Sequence, residues 1–410
     1  MKSPHVTRLL IAKGLRAFGD GYVSLLLPAY LLQQGFSPLQ VGIIATATLL
    51  GSGLLTILVG LHAWRYHYRT LLLAAALLMA GTGLGFALLS TFWPLLLIAF
   101  VGTLNPSSGD VSVFLPLEHA VLSRVVADQE RTAVFARYSL IGSLIAALGS
   151  LAAALPVWMT HATGLSLNTA MQAMFLFYVA LGIMAMAIYR GLPPALESAA
   201  PSIRAPLGRS KKLVYTLAAL FSLDAFGGGF VVQSMLALWL YQRFGMSLAT
   251  AGTIFFWTGV FTALSYLVAV RIAGRIGLVN TMVFTHLPAN LCLLAIPFMP
   301  EVSYVIALLM VRSALSQMDV PTRSSYVMAI VLPAERPAAA SLTSVPRSLA
   351  SAAGPFLAGY LLSVSTFGWP LIAAGGAKIV YDVLLLLMFR KVRPPEEARP
   401  AAKEHSASRS

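Results

Sequence analysis

The stretch RAFGDGYVSLLLPAYL, residues 16–31, sets Asp20 inside a run that otherwise reads as apolar. Glycines flank the acid on both sides, and Pro28 follows about two turns later. Such residues recur. Asp110 lies in SSGDVSVFLPLEHA, residues 107–120, with Glu118 about two turns further on. Asp224 sits in a later apolar run; Arg312, Asp319 and Arg323 share another; Arg137, Arg347, Lys378 and Asp382 are scattered through the rest. Two kinds of chemistry suit them. A carboxylate held away from water favours its neutral form, so it can take and release a proton as its surroundings change. An acid and a base brought together neutralise each other and tie two helices. Asp319 and Arg323 are four apart and share one helix face, as do Lys378 and Asp382. Arg312 and Arg347 are further partners for Asp319, and Arg124 and Arg137 for Glu118.

The elements that position these groups follow from composition. Of 410 residues, 58% are hydrophobic and only 10% charged, whereas a soluble surface needs far more charge. Apolar runs of about 20 residues, the length that crosses a bilayer, recur along the chain. An ionised side chain at that depth costs about 2.5–3.5 kcal/mol, so it faces a cavity or a partner. The expected fold is an all-α membrane protein of twelve spans: 8–34, 39–62, 70–90, 93–123, 132–156, 169–190, 212–242, 247–271, 278–299, 302–331, 338–363 and 367–390. Gly19, Gly21, Pro28, Pro106 and Pro116 should loosen their helices.

The formal net charge is +14. In a soluble chain this would point to nucleic acid. Here Lys and Arg crowd the even-numbered loops and both tails, while the odd-numbered loops hold essentially Arg243 and Glu301. That asymmetry puts both termini in the cytoplasm and accounts for the charge without nucleic acid. The basic face can also touch anionic lipid. GLPPALESAAPSIRAPLGRSK, residues 191–211, reads as a cytoplasmic linker between a six-helix bundle at 1–190 and a second at 212–393; 394–410 reads as a disordered tail. The single cysteine, Cys292, excludes an intrachain disulfide framework. The first apolar run carries no cleavage site and continues as a span.

Three internal matches support duplication. GFSPLQVG (35–42) lies against GMSLATAG (245–252), AFGDG (17–21) against AFGGG (225–229), and DQERTAVFA (128–136) against PAERPAAAS (333–341), at nearly constant offset. With twelve spans, both ends inside, two similar halves and a long central linker, residues 8–390 resemble the major facilitator superfamily. Its loop signature is partly kept: GLHAWRYHYR (60–69) retains Gly60, Arg65 and Arg69 but has Trp64 where the family has Asp, and VRIAGRIGLV (270–279) retains Arg275 and Gly277. Span four offers Asn105 and Gly109 where drug exporters carry Arg and Gly.

The resemblance implies that spans one, four, seven and ten line a central cavity. Asp20, Asp110, Asp224, Asp319 and Arg323 fall on those spans, with Asn105 and Glu118, as candidates for proton or substrate contact; Arg65, Arg69 and Arg275 are candidates for gating. It also implies a monomeric secondary transporter of the bacterial inner membrane, moving a small solute by alternating access. Acids outnumber bases among the groups counted on the cavity spans, which favours proton-coupled efflux; uptake symport or uniport is the alternative. No phosphate loop, zinc motif or cofactor signature is present. A non-transporting sensor or an intramembrane enzyme would need a soluble domain or catalytic cluster that the sequence does not show.

Overall fold

The computed structural model describes residues 4–62, 65–107, 112–126, 128–193, 208, 210–332, 335–390 and 392. Among them the regular elements are all helical. In chain order they are α1 (Pro4–Gln33), α2 (Pro38–His62), α3 (Tyr68–Leu88), α4 (Phe92–Val101), α5 (Phe114–Val125), α6 (Asp128–Leu151), α7 (Leu155–Thr163), α8 (Leu167–Arg190), α9 (Lys211–Gly229), α10 (Gln233–Phe244), α11 (Leu248–Ile276), α12 (Leu278–Ala295), α13 (Val302–Leu315), α14 (Asp319–Ile330), α15 (Arg336–Val364) and α16 (Trp369–Phe389).

These make twelve transmembrane spans in two pseudo-symmetric six-helix bundles. Eight spans are long and apolar enough to be identified by length and hydropathy alone. The remaining four are span 1 (α1), span 4 (α4 and α5), span 10 (α13 and α14) and span 11 (α15). They are too charged, too polar or too broken for that test, and all four carry charged residues of the centres described below. Span 5 joins α6 to α7 through a 3-10 turn at Ala152–Ala154, and span 7 breaks between α9 and α10. Span 10 breaks at 316–318 because Pro321 has no amide hydrogen to close the helix across the gap. α1, by contrast, runs unbroken through Gly19, Gly21 and Pro28.

The duplicated GFSPLQVG and GMSLATAG segments have a common physical role. Gly35 (φ +87°) and Gly245 (φ +60°) end spans 1 and 7 in the left-handed region that glycine adopts without strain. Two residues on, Ser37 and Ser247 accept hydrogen bonds from the amides of Gln40 (3.3 Å) and Thr250 (3.1 Å), starting the next span.

The bundles meet at the end of the molecule far from the termini. α2 packs on α15 and α6 on α11. At Gly42 and Gly359 a side chain on either would lie within 3 Å of the other's backbone. Tyr241 on α10 donates to the Leu25 carbonyl on α1 at 3.0 Å. One hydrophobic core, including Leu25, Leu31, Val41, Trp239, Leu248 and Ala358, runs through both bundles here. At the termini end the second bundle has its own core of Val214, Phe221, Met282, Tyr326, Leu385 and Phe389. Gly53, Gly60 and Gly274 meet no neighbour there. Arg137 and Ser139 on α6, and Ser344 and Ser348 on α15, are exposed. Polar groups at these positions face water rather than lipid, so the cleft between bundles opens towards the end that bears the termini. Trp93, Trp158 and Trp369 are exposed at the far end, where aromatic anchors belong.

Candidate functional site

Two buried ionic centres lie beside the cleft, one in each bundle. In the first, Lys13, Arg16 and Asp20 share one face of α1 by their spacing of three and four. Arg16, 3% exposed, forms an ion pair with the fully buried Glu118 on α5. Tyr138 on α6 donates to the same carboxylate, and Tyr189 on α8 does so at 2.6 Å. Arg16 Nε donates to the Tyr189 hydroxyl at 3.1 Å, and its guanidinium lies 4.1 Å over the Phe114 ring. Both oxygens of Glu118 are thus satisfied by donors from three other spans, as a buried carboxylate requires. The Lys13 ammonium lies 5.1 Å from the centroid of the Tyr138 ring. Asp20 stands apart. Its one hydrogen-bond partner among the described residues is the Tyr178 hydroxyl at 3.4 Å, and it makes no ion pair there.

In the second centre Asp224 on α9, 3% exposed, collects two cations and an imidazole from three spans. Arg323 on α14 lies at 2.9 Å, Lys378 on α16 at 2.7 Å and the His286 ring on α12 at 3.7 Å. Arg323 also pairs with Asp319, one turn before it. Asp382 receives His286 at 2.8 Å and Asn290 at 2.8 Å. Arg347 on α15 lies within electrostatic range of Arg323, Asp224 and Asp319.

The repeat relates the two centres. Aligning AFGDG with AFGGG sets Arg16 opposite Asp224, each the residue before the motif. Glu118 stands twelve residues before Glu130, and Arg323 twelve before Glu335, the pair aligned in the third match. Glu118 and Arg323 are each the fifth residue of the second segment of a broken span. Each bundle therefore holds one buried ion pair between equivalent helices, with the signs exchanged.

Several expected pairings resolve differently. Glu118 pairs with Arg16, not with Arg124 or Arg137, because α1 and α8 close over it. Lys378 and Asp382 do not neutralise each other: one serves Asp224, the other His286 and Asn290. Asp319 and Arg323 do share a face and pair. Asn105 is buried in the break of span 4, where its side-chain oxygen accepts from the amide (3.0 Å) and hydroxyl (2.9 Å) of Ser107. That break is pinned to the other bundle by the Ser234 amide donating to the Pro106 carbonyl at 3.0 Å. Asp110, Gly109 and Trp64 lie outside the described residues. Arg65 and Arg275 are exposed at the termini end; Arg69 is half-buried, with Nε unpartnered. Lys13, Arg16, His286 and Asn290 were not anticipated as site residues, although all four lie within the expected first and ninth spans.

Of the aromatic residues, Tyr22, Tyr30 and Trp239 are buried and hydrogen-bond to backbone carbonyls of their own bundles, so they pack rather than line the cleft.

The family model of the Major Facilitator Superfamily matches residues 9–314 and 218–409. The uncharacterized membrane protein YJR124C of Saccharomyces cerevisiae is 24% identical over 410 residues, covering 92% of each chain. Among solved structures, a mutant of the nucleoside transporter NupG superposes with a TM-score of 0.75 at 15% identity, over 94% of this chain and 100% of that one. A bacterial homologue of the human lysosomal transporter Spinster, inward-facing and occupied, gives 0.71 at 14% identity, over 94% and 96%. The human organic anion transporter MFSD10 gives 0.67 at 19% identity, over 94% and 100%. At these identities the structural likeness speaks for the fold.

Proposed function

The chain belongs to the Major Facilitator Superfamily, and on that premise we propose that it couples the movement of its solute to protons through Asp20. Membership makes it a multi-pass membrane transporter of a small-molecule solute and not an enzyme. The observation that supports proton coupling is the uneven state of the intramembrane acids. Glu118, Asp224, Asp319 and Asp382 each hold a cationic or imidazole partner. Among the described residues Asp20 has one hydrogen bond, from a phenol at 3.4 Å, and no ion pair; Arg16 and Lys13 act on it only at longer range. A carboxylate clamped by a guanidinium stays ionised, whereas one with a single weak donor is free to load and unload a proton as the cleft alternates.

Efflux by exchange was favoured by an acid surplus on the cavity spans. Lys13 and Arg16, both on span 1, nearly cancel that surplus. Symport gains a specific support: Asp20 and the cation-rich centre around Arg323 lie in different bundles, so proton and solute can be aboard together. The positive-inside asymmetry supports cytoplasmic termini in a bacterial inner membrane, with the basic face against anionic lipid. Every residue of the buried centres comes from one chain, which supports a monomer as the working unit.

The test uses proteoliposomes loaded with a pH-sensitive dye. Monocarboxylates, amino acids, sugars, nucleosides and cationic drugs are added outside in turn. At least one class should change the internal pH in the wild type, and Asp20→Asn should abolish that change. Solute uptake without a pH response, or an unaltered response in Asp20→Asn, refutes the assignment.

A further inference from the structure

The second ionic centre is less complete than the first, and the missing partners share one character. Arg323 uses one terminal nitrogen, Nη2, for both Asp224 and Asp319. Its Nε and Nη1 are buried with no hydrogen-bond partner. Arg347 Nε and the Tyr381 hydroxyl are buried and unpartnered too. Tyr381 is fully buried, and the Arg323 guanidinium lies 5.9 Å from the centroid of its ring. In the first centre the corresponding base, Arg16, leaves no buried nitrogen unpartnered among the described residues. Native interiors seldom leave buried donors unused. Here four atoms that can donate, on three different spans, are unused in one centre.

Charge argues the same way. Arg347 lies within electrostatic range of Arg323, a like charge, and of Asp224 and Asp319, and makes no hydrogen bond or ion pair with any described residue. Both acids are already bound by Arg323, so the second guanidinium has no anion of its own. Arg347 also stands on the helix face of Ser344, Ser348 and Ser351, and the first two of these are exposed to the open cleft. Arg347, half-buried, stands nearest that face, and Arg323 (6% exposed) and the fully buried Tyr381 lie behind it.

We propose that Arg323, Arg347 and Tyr381 receive a single oxyanion group of the transported solute, a carboxylate in preference to a phosphate. This rests on the transporter reading and deepens it. The planar fork of arginine matches two oxygens at once, and the phenol supplies a third donor. A dianion would face Asp224 and Asp319, which already share Arg323; a monoanion limits that repulsion.

The purified protein is titrated in detergent with benzoate, with benzamide as the neutral isostere and with inorganic phosphate, sodium chloride holding ionic strength constant. Benzoate should raise the melting temperature and benzamide should not, because a ligand of the native state stabilises it by mass action. Arg347→Gln should weaken the apparent benzoate affinity at least tenfold, about 1.4 kcal/mol. Tyr381→Phe removes one hydroxyl and keeps the ring, so it remains a folded check, and it should weaken binding in the same direction. An equal benzoate shift in both variants, or no benzoate-specific shift in the wild type, overturns the site. Tighter binding of phosphate overturns the choice of carboxylate. In the proteoliposome assay, a pH response to neutral or cationic solutes that Arg347→Gln leaves intact would sink this inference while the transporter reading stands.

Discussion

Arg16 and Glu118 in the first bundle stand where Asp224 and Arg323 stand in the second, with base and acid exchanged. The surroundings differ as much as the signs. Around Glu118 the further donors are neutral phenols, from Tyr138 and Tyr189. Around Asp224 they are charged: Lys378, and His286 when protonated. The first centre is closed on itself, and the second keeps buried donors in reserve. The comparison teaches that the duplicated scaffold requires a neutralised pair at this place but not a particular polarity. What is left over after neutralisation differs: among the described residues, the second centre keeps unpartnered guanidinium nitrogens with which to hold a charged ligand, and Arg16 in the first keeps none.

The comparison can be broken experimentally, starting where the effect is largest. Asp224→Leu strands the buried Lys378 and leaves Arg323 only Asp319, and should destabilise the fold by about 3–5 kcal/mol, the cost of breaking a buried pair. Glu118→Leu strands Arg16 alone, so its loss of melting temperature should be smaller; equal losses would mean that the extra cations of the second centre are not held by Asp224. Next comes the exchange itself. Arg16→Glu and Glu118→Arg should each be severely destabilising alone. Together they recreate the polarity of the second bundle and should recover at least half the loss, about 1.5–2.5 kcal/mol. A double variant no better than the worse single one would show that the polarity is fixed by Tyr138, Tyr189 and Phe114. The smallest effect concerns the contact between bundles. Gly42→Ala inserts a methyl group against Pro355 and Gly359 and should cost about 1–3 kcal/mol. Gly60→Ala, on the same helix, meets nothing and should leave the melting temperature unchanged. A matching loss at Gly60 would mean that the bundles also touch at the termini end.

Much of the architecture was readable from local signals. Hydropathy and punctuation placed twelve spans, most of them within a few residues of the observed helices, because membrane length and backbone satisfaction leave few choices. The Gly35 and Gly245 turns were legible as a repeat before their backbone angles gave the reason. The break of span 4 near Pro106 was flagged, but Pro321 and the break of span 10 were not. Site partners were harder. Arg16 and Glu118 are separated by 102 residues and Asp224 and Lys378 by 154. Nothing in a helix of period 3.6 announces which distant span will complete a pair. Lys13 and Arg16 were hidden for another reason: near the start of a span, a base reads as part of the water-facing end. His286 and Asn290 carry no fixed charge, so an inventory of intramembrane charges passes over them.

Of the four spans that fail a simple length-and-hydropathy test, spans 1, 10 and 11 contribute charge to these centres, and span 4 supplies Glu118 and the break that touches the other bundle. Such segments partition poorly into lipid as isolated helices. During biogenesis they must therefore be retained beside the insertion machinery until their counter-charges are at hand. Arg16 on span 1 waits for Glu118 on span 4, and Arg323 on span 10 joins Asp224, already delivered on span 7. Delivery of the nascent chain to the bilayer is thus bound to completion of the ionic centres, and a variant that loses a partner should accumulate in the membrane at a lower level than the wild type.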